Sequence, residues 1–464
     1  MPNTIPRAQP SLKFIPPALN SGVLGACQPL LPWWIKFKTP IADVQGSNLE
    51  SLLELYRQFQ ERKIRFIIAF RHPSTLDPFA IAYLLWQLLP KTAKNLGVSL
   101  QTPIHAHFIY DRGIPLWAGA YVGSIFSKLG GIPIMRGKVD RLGLRTARQL
   151  FATGQFPMAV SPEGGTNGHN EIISPLEPGI AQMGFWCVED LLESGRTEEV
   201  FIVPLGIQYS YLQENWTAIE ELLSSLEADC GLSPYQDNRD NIEIEGINTD
   251  FTIGPVSASL YPRLIRLGDR LLSLMEDFYR QFYHQQLSPD SKQNLATRLQ
   301  AILDLALTVA EQYFSVKPKG TLIDRCRRLE QAGWDYIYRQ DIKNTDSLSP
   351  IEWGLADRVA EEASLRMWHM RLVESFVAVT GRYVREKPTF GRFAETTLLI
   401  SKTIARIKGD NAYAPQSLGN QKVLLTVGKP ISVTSRWQEY KSSRRQAVAN
   451  ITQDLQAALE EIIS

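Results

Sequence analysis

The sequence predicts an α/β fold: a mostly parallel sheet flanked by helices, with a large all-helical insertion before the final strand and helix. Three observations carry this. Short apolar runs alternate with helix-like stretches from residue 47 to 211, the order that builds parallel sheets. Helical periodicity then takes over, with Leu260, Leu264, Leu267, Leu271, Leu274, Phe278 and Phe282 three or four residues apart. Finally an apolar run returns at Val423 to Val427, followed by an amphipathic stretch with Val448, Ile451, Leu455, Leu459 and Ile462 on one face.

The elements follow in order. Residues 1–46 form a basic arm rich in Pro and Trp. Phe14 to Ile35 is uncharged over 22 residues, long enough to span a bilayer. Pro16, Pro17, Pro29 and Pro32 interrupt it, so a continuous helix in hydrocarbon would leave backbone groups unsatisfied. The arm therefore reads as a broken interfacial segment or as a Pro-rich arm packed on the protein itself. Trp33, Trp34, Lys36 and Lys38 suit a headgroup layer. From 47 to 254 the α/β domain has strands at Ile64–Phe70, Ile104–Tyr110, Ile132–Met135, Met158–Val160 and Val200–Tyr209. Helices are expected at 49–62, 78–90, 114–128, 139–152 and 178–194. The helical insertion covers 255–415, with further stripes at 291–314, 351–378 and 391–408, and 416–464 returns to complete the sheet.

The 464 residues carry 49 basic and 48 acidic side chains. Near-zero charge argues against a nucleic-acid partner, and 44% hydrophobic content argues against long disorder. Cys27, Cys187, Cys230 and Cys326 are scattered without a CxxC pair, which excludes a disulfide framework and the common zinc knuckles. The charge is segregated. Residues 1–42 carry Arg7, Lys13, Lys36 and Lys38 and no acid, whereas 213–251, read as an acidic loop, carries ten acids and only Arg239. The first suits an anionic surface and the second avoids one.

Four blocks carry chemistry, each at or just after a strand end, where open α/β sheets place ligands. In Arg71 to Asp77 (RHPSTLD) His72 and Asp77 are five apart. In a loop entering a helix the carboxylate reaches one imidazole nitrogen and leaves the other to accept a proton. This is the base half of a Ser-His-Asp triad without its serine, so the attacking hydroxyl comes from a substrate. The other blocks are Gly130 to Lys138 (GGIPIMRGK), Ser161 to Asn167 (SPEGGTN) and Ile202 to Gln208 (IVPLGIQ).

In this order and spacing the four blocks resemble the glycerolipid acyltransferases, the lysophosphatidic acid acyltransferase-like enzymes of HxxxxD type. The resemblance covers about residues 60–211 and weakly 423–464. It implies transfer of a fatty acyl group from acyl carrier protein or coenzyme A to a hydroxyl, with no metal and no bound cofactor. His72 would be the general base and Asp77 its orienter. Glu163, Gly164, Gly165 and Thr166 would shape the acceptor pocket, and Arg136 would contact the acceptor's phosphate. The product would be phosphatidic acid, made at the cytoplasmic face of a membrane by a peripheral or monotopic protein.

The chain departs from the family twice. Arg71 precedes the histidine where Asn is common, and Asn167 stands where the third block commonly has arginine. Arg71 or Lys138, the first cation of a basic helix face with Arg141, Arg145 and Arg148, would supply the missing charge. Alternatively, the acceptor is a neutral or non-glycerol alcohol, or the protein is a non-catalytic lipid-binding scaffold on the same fold. Among weaker signals, His105 and His107 read as strand histidines held by hydrogen bonds rather than metal ligands. Gly113 to Ser127 is uncharged and aromatic, suiting an acyl tunnel, a membrane contact or an ordinary buried helix. Lys317, Lys319, Arg325, Arg327 and Arg328 form a basic cluster on which an acidic acyl carrier protein would dock.

Overall fold

The computed structural model describes residues 7–136, 139–233, 255–285, 294–343, 348–376, 379, 382–412 and 416–463. Its strands are β1 (Gln9–Pro10), β2 (Ile41–Ser47), β3 (Ile64–Phe70), β4 (His107–Asp111), β5 (Gly131–Ile134), β6 (Met158–Val160), β7 (Glu199–Tyr211), β8 (Tyr338–Arg339), β9 (Gln421–Val427) and β10 (Ile431–Ser432). The chain divides into two compact units: Leu12–Leu212 with Asn420–Ser464, and Met1–Ser11 with Gln213–Gly419.

The first unit is α/β, with an eight-stranded, mostly parallel sheet in the order β2-β9-β7-β3-β6-β4-β5 and β10 paired to β7. Strands β3, β4, β5, β6 and β7 run parallel, β9 and β10 run antiparallel to β7, and β2 is parallel to β9. All seven residues of β3 are buried, as a central strand covered on both faces requires. One core layer gathers Leu52, Tyr56, Phe66, Ile68, Leu84, Leu205 and Leu425, and the other Ile67, Phe151, Phe185, Ile202, Val433, Ile451 and Leu455. Each such side chain contributes roughly 1.5–3 kcal/mol. Arg65, the second residue of β3, is a buried charge, and its Nε donates to Phe151 O at 2.8 Å. Its Nη2 donates to Gly154 O at 2.8 Å. It thereby caps the carbonyls ending the helix Arg141–Thr153.

Several boundaries differ from the sequence reading. Strand β4 begins at His107 rather than Ile104. The expected helix 78–90 runs on to Leu96, with a π-helical turn at Leu84–Leu88. The expected helix 114–128 is two helices, Ile114–Ala118 and Ala120–Lys128, joined at Gly119 with φ 105° and ψ 142°, a conformation open to glycine alone. Strand β2 had no counterpart in the reading. The returning strand β9 inserts between β2 and β7, and the final helix is Arg444–Ile463. Glycine is required at 206, where a Cβ would stand 2.2 Å from Ile462 Cγ2.

The uncharged segment Phe14 to Ile35 is not one helix throughout; its helix starts only at Ser21 and is not broken at Pro29 or Pro32. Residues 16–20 run along the end of the helix Ala120–Lys128: Ala18 N donates to Ser127 O at 2.9 Å and Asn20 N to Lys128 O at 2.8 Å. Ser21–Lys38 is then one helix that contains Pro29 and Pro32. Pro32 removes the donor that Gln28 O would take in a helix, and Gln87 Nε2 replaces it at 2.9 Å. Leu24, Leu31 and Ile35 are buried, whereas Leu30, Trp33 and Phe37 are each more than half exposed. Trp34 packs on Phe79 with ring centroids 4.1 Å apart, so only Trp33 of the two indoles faces outward.

The second unit is mainly helical, with long helices at Pro255–Tyr283, Leu295–Phe314, Leu322–Ile337, Pro350–Glu374 and Phe390–Lys408. It differs from an all-helical insertion over 255–415 in two ways. It includes the parallel pair β1–β8, with Ala8 N donating to Asp357 Oδ1 at 2.9 Å. It also includes the helix Trp216–Asp229, which lies in the segment read as an acidic loop. Arg325 leaves the expected basic cluster: it is buried and bonded to Glu311 at 2.7 Å, and pairs also with Asp304. No helix among the described residues is long and apolar enough to cross a membrane.

Candidate active site

The register of the parallel strands decides which loops meet. Phe70 at the end of β3 lies opposite Leu205 of β7, Ala69 opposite Val160 at the end of β6, and Asp111 at the end of β4 opposite Ile134 at the end of β5. The loops after β3, β5 and β6 therefore emerge at one edge, beside the end of β4. Strand β7 continues past the end of β3 to Tyr211.

His72 follows β3, and Asp77 opens the next helix. The His72 Nδ1–Asp77 Oδ2 distance is 2.8 Å. Asp77 has no exposed surface and the His72 side chain is 20% exposed, so the pair has a buried orienter and an accessible ring. Ser74 N donates to Asp77 Oδ2 at 2.9 Å. Tyr209 OH donates to the other oxygen, Oδ1, at 2.6 Å. Burial first, and then the Asp77 charge, push the Tyr209 phenol well above its ordinary range, so it remains a donor. With Nδ1 engaged by the carboxylate, Nε2 is the nitrogen left to accept a proton.

Glu163 is almost fully buried. Its Oε1 accepts from His72 N at 2.8 Å. Its Oε2 accepts from Asn167 Nδ2 at 2.9 Å and Ser174 N at 2.9 Å. Glu163 thus ties the loop after β6 to the histidine's backbone. Asn167 turns inward too, donating to Ile172 O at 2.7 Å, so the residue at the family's arginine position holds the loop.

The expectation for Arg71 is corrected. It is fully buried, and Nη2 donates to His169 O and Ile172 O at 2.6 Å each. Nη1 donates to Asn170 O, and Nε lies 3.8 Å from Glu163 Oε1. Its charge is spent on the loop and not presented to an acceptor. Arg136 donates Nη1 to Gly164 O at 2.7 Å and Nε to Asp111, whose Oδ1 accepts from Gly113 N at 2.6 Å. Gly164 has φ 69°, and a Cβ at Gly165 would stand 3.1 Å from the Arg136 guanidinium. The two glycines therefore let the backbone turn beneath that side chain. Thr166 is exposed, and Lys138 lies outside the described residues.

The structure thus brings His72, Asp77, Glu163 and Arg71 into one cluster, with Gly164, Gly165 and Arg136 on its flank. Sequence reasoning missed Tyr209, Asp111 as the Arg136 partner, and the inward role of Asn167. Tyr209's signal was a polar-tipped aromatic at the end of a long buried strand.

The two strand histidines are packed and hydrogen-bonded. Trp86 Nε1 donates to His105 Nδ1 at 3.2 Å, and His105 Nε2 meets Leu129 O at 2.9 Å. This arrangement specifies the neutral ring, and burial lowers the His105 pKa to about 4. His107 Nδ1 bonds Gly130 O at 3.1 Å. Among the described residues no group of three His, Cys, Asp or Glu is placed to hold a metal. Of the basic helix face, Arg148 is bound to Glu189 at 3.0 Å and Asp190 at 2.6 Å, while Arg141 and Arg145 are exposed. From the uncharged stretch, Leu116, Tyr121 and Ile125 are exposed, and Phe126 packs on Tyr110 with ring centroids 4.9 Å apart. A scan of family models and a search of curated proteins gave no match to this chain.

Proposed function

We propose that the protein is an acyl-thioester-dependent O-acyltransferase of the HxxxxD type. It would move a fatty acyl group from acyl carrier protein or coenzyme A to a glycerolipid hydroxyl, foremost that of 1-acylglycerol-3-phosphate. The observation that carries this reading is the buried Asp77 carboxylate 2.8 Å from Nδ1 of a partly exposed His72. In the reaction the acceptor hydroxyl gives its proton to His72 Nε2, and its oxygen attacks the thioester carbonyl carbon. The tetrahedral intermediate expels the thiolate, which takes the proton back from the imidazolium as the C–S bond breaks. Asp77 orients the ring and stabilises its transient charge. The acceptor hydroxyl is the nucleophile, so no acyl-enzyme forms.

The exposed Leu30, Trp33 and Phe37, beside exposed Lys36 and Lys38, support peripheral attachment at the cytoplasmic face of a membrane. The helical unit between β7 and β9, read as an insertion, would offer Lys317, Lys319, Arg327 and Arg328 to an acidic carrier protein.

A second reading, a neutral or non-glycerol acceptor, is favoured by the spending of Arg71 on loop carbonyls and the pairing of Arg136 with Asp111. The test of the function is His72→Ala, assayed with labelled acyl thioester and both phosphorylated and neutral acceptors. Loss of about 10²–10⁴-fold in rate is expected. An unchanged rate rejects His72 as the base, and a strict need for phosphate rejects the second reading.

A further inference from the structure

Tyr209 belongs to none of the four sequence blocks, yet its hydroxyl is 2.6 Å from Asp77 Oδ1. Two features make this more than core packing. The first is the division of the carboxylate. Oδ2 takes the imidazole at 2.8 Å and the Ser74 amide at 2.9 Å, while Oδ1 takes the phenol. Donors on both oxygens fix the carboxylate's rotation, and that rotation aims the imidazole. The second is the placement of the phenol. Tyr209 lies four residues past Leu205, the partner of β3's last residue, and its own amide donates to Asn170 Oδ1 at 2.8 Å. The backbone at Tyr209 is thus anchored to the loop that Arg71 also holds, and β7 carries the residue past the end of β3, so that its hydroxyl reaches Asp77 after the loop bearing His72.

We propose that Tyr209 is a positioning residue of the acyl-transfer site, which orients the Asp77 carboxylate and draws part of its charge away from His72. The proposal rests on His72 acting as the base. The charged and titratable groups facing the pair are known on each side: Arg71 on the same loop, Glu163 from the loop after β6 and Tyr209 from β7. The Arg71–Glu163 contact, 3.8 Å apart, involves no atom of Tyr209 and stays in place when the hydroxyl is removed.

Removing that hydroxyl has two consequences. The carboxylate gains rotational freedom, so His72 is aimed less often and kcat falls. Charge shared with the phenol also returns to the carboxylate facing the imidazole, so the imidazole keeps its proton to higher pH. The test is the pH profile of kcat/KM for acyl transfer by the full chain. In Tyr209→Phe we expect kcat to fall about tenfold, a loss within the range general-base catalysis supplies, with KM for both substrates unchanged. The acid limb of the profile should move to higher pH. Site-specific 3-fluorotyrosine at 209 keeps the ring and strengthens the donor, so it should move the limb to lower pH. It also serves should the Phe variant fail to fold. A limb that stays in place in the folded variants, whatever the loss of rate, makes Tyr209 merely structural and overturns the proposal. That result leaves the acyltransferase reading standing if His72→Ala is inactive. A wild-type protein that transfers no acyl group to any acceptor removes both.

Discussion

Glu163 shows how one side chain can look like a ligand contact and act as a brace. Its two oxygens accept from His72 N, Asn167 Nδ2 and Ser174 N, and it is the carboxylate beside the buried Arg71 guanidinium. Glu163→Gln turns one oxygen into a donor that faces donors and removes the carboxylate charge beside Arg71. Leaving a buried donor unsatisfied costs about 1–3 kcal/mol, so the urea midpoint should fall and kcat should fall with it. A Gln variant of wild-type stability that has only a raised KM for the acceptor would return Glu163 to the acceptor pocket. The His72–Asp77 relation was legible because five residues across a helix start restrict where a carboxylate can reach. The roles of Arg71, Glu163 and Asn167 were not, because a charged side chain near a strand end reads the same whether it points to ligand or to backbone. Burial and partners decide that, and the partners that bind Arg71 and the His72 amide to this loop lie 91 to 101 positions away.

The helix Ser21–Lys38 raises the same point one level up. Prolines at 29 and 32 lower helical propensity locally, and from composition alone a break is the natural expectation. The break is averted by a long-range bond, Gln87 to the carbonyl that Pro32 orphans, and by burial of Leu24, Leu31 and Ile35. The same packing turns Leu30, Trp33 and Phe37 outward on one face. Replacing these three with Ser leaves the buried stripe intact and should weaken binding to anionic vesicles by about tenfold or more. Unchanged sedimentation with vesicles would remove this helix as the attachment surface. The helix Trp216–Asp229 is a converse case. Ile219, Leu223 and Leu226 are buried among residues whose acidity suggested a loop, because a helix needs only a narrow apolar stripe and tolerates acids on its other face.

At the scale of the whole molecule, three histidines are held neutral. Burial lowers His105 and His369 to about 4 and His107 below its ordinary value of 6.5. In the α/β unit Trp86 donates to His105. In the helical unit His369 lies 2.8 Å from Tyr279 OH and 3.0 Å from Tyr283 OH. Between the ordinary histidine range and pH about 4 the unfolded chain binds more protons than the folded one, so stability rises with pH there. It should be full above pH about 6.5 and decline as pH falls toward 4. Denaturant midpoints at pH 7 and pH 5 check this, and equal midpoints would contradict the neutral assignment.

Periodicity and block order determined the α/β class, the central strand Ile64–Phe70, the return of a strand and helix at the C-terminal end, and the pairing of His72 with Asp77. These are local properties, set by side-chain spacing over a few residues. The tertiary structure alone decided which loops share the sheet edge, that Arg71 and Glu163 face inward, that Tyr209 reaches Asp77, and that residues 7–11 join the helical unit. Each of these depends on strand register and on partners far along the chain, and no window of sequence contains both members of such a pair.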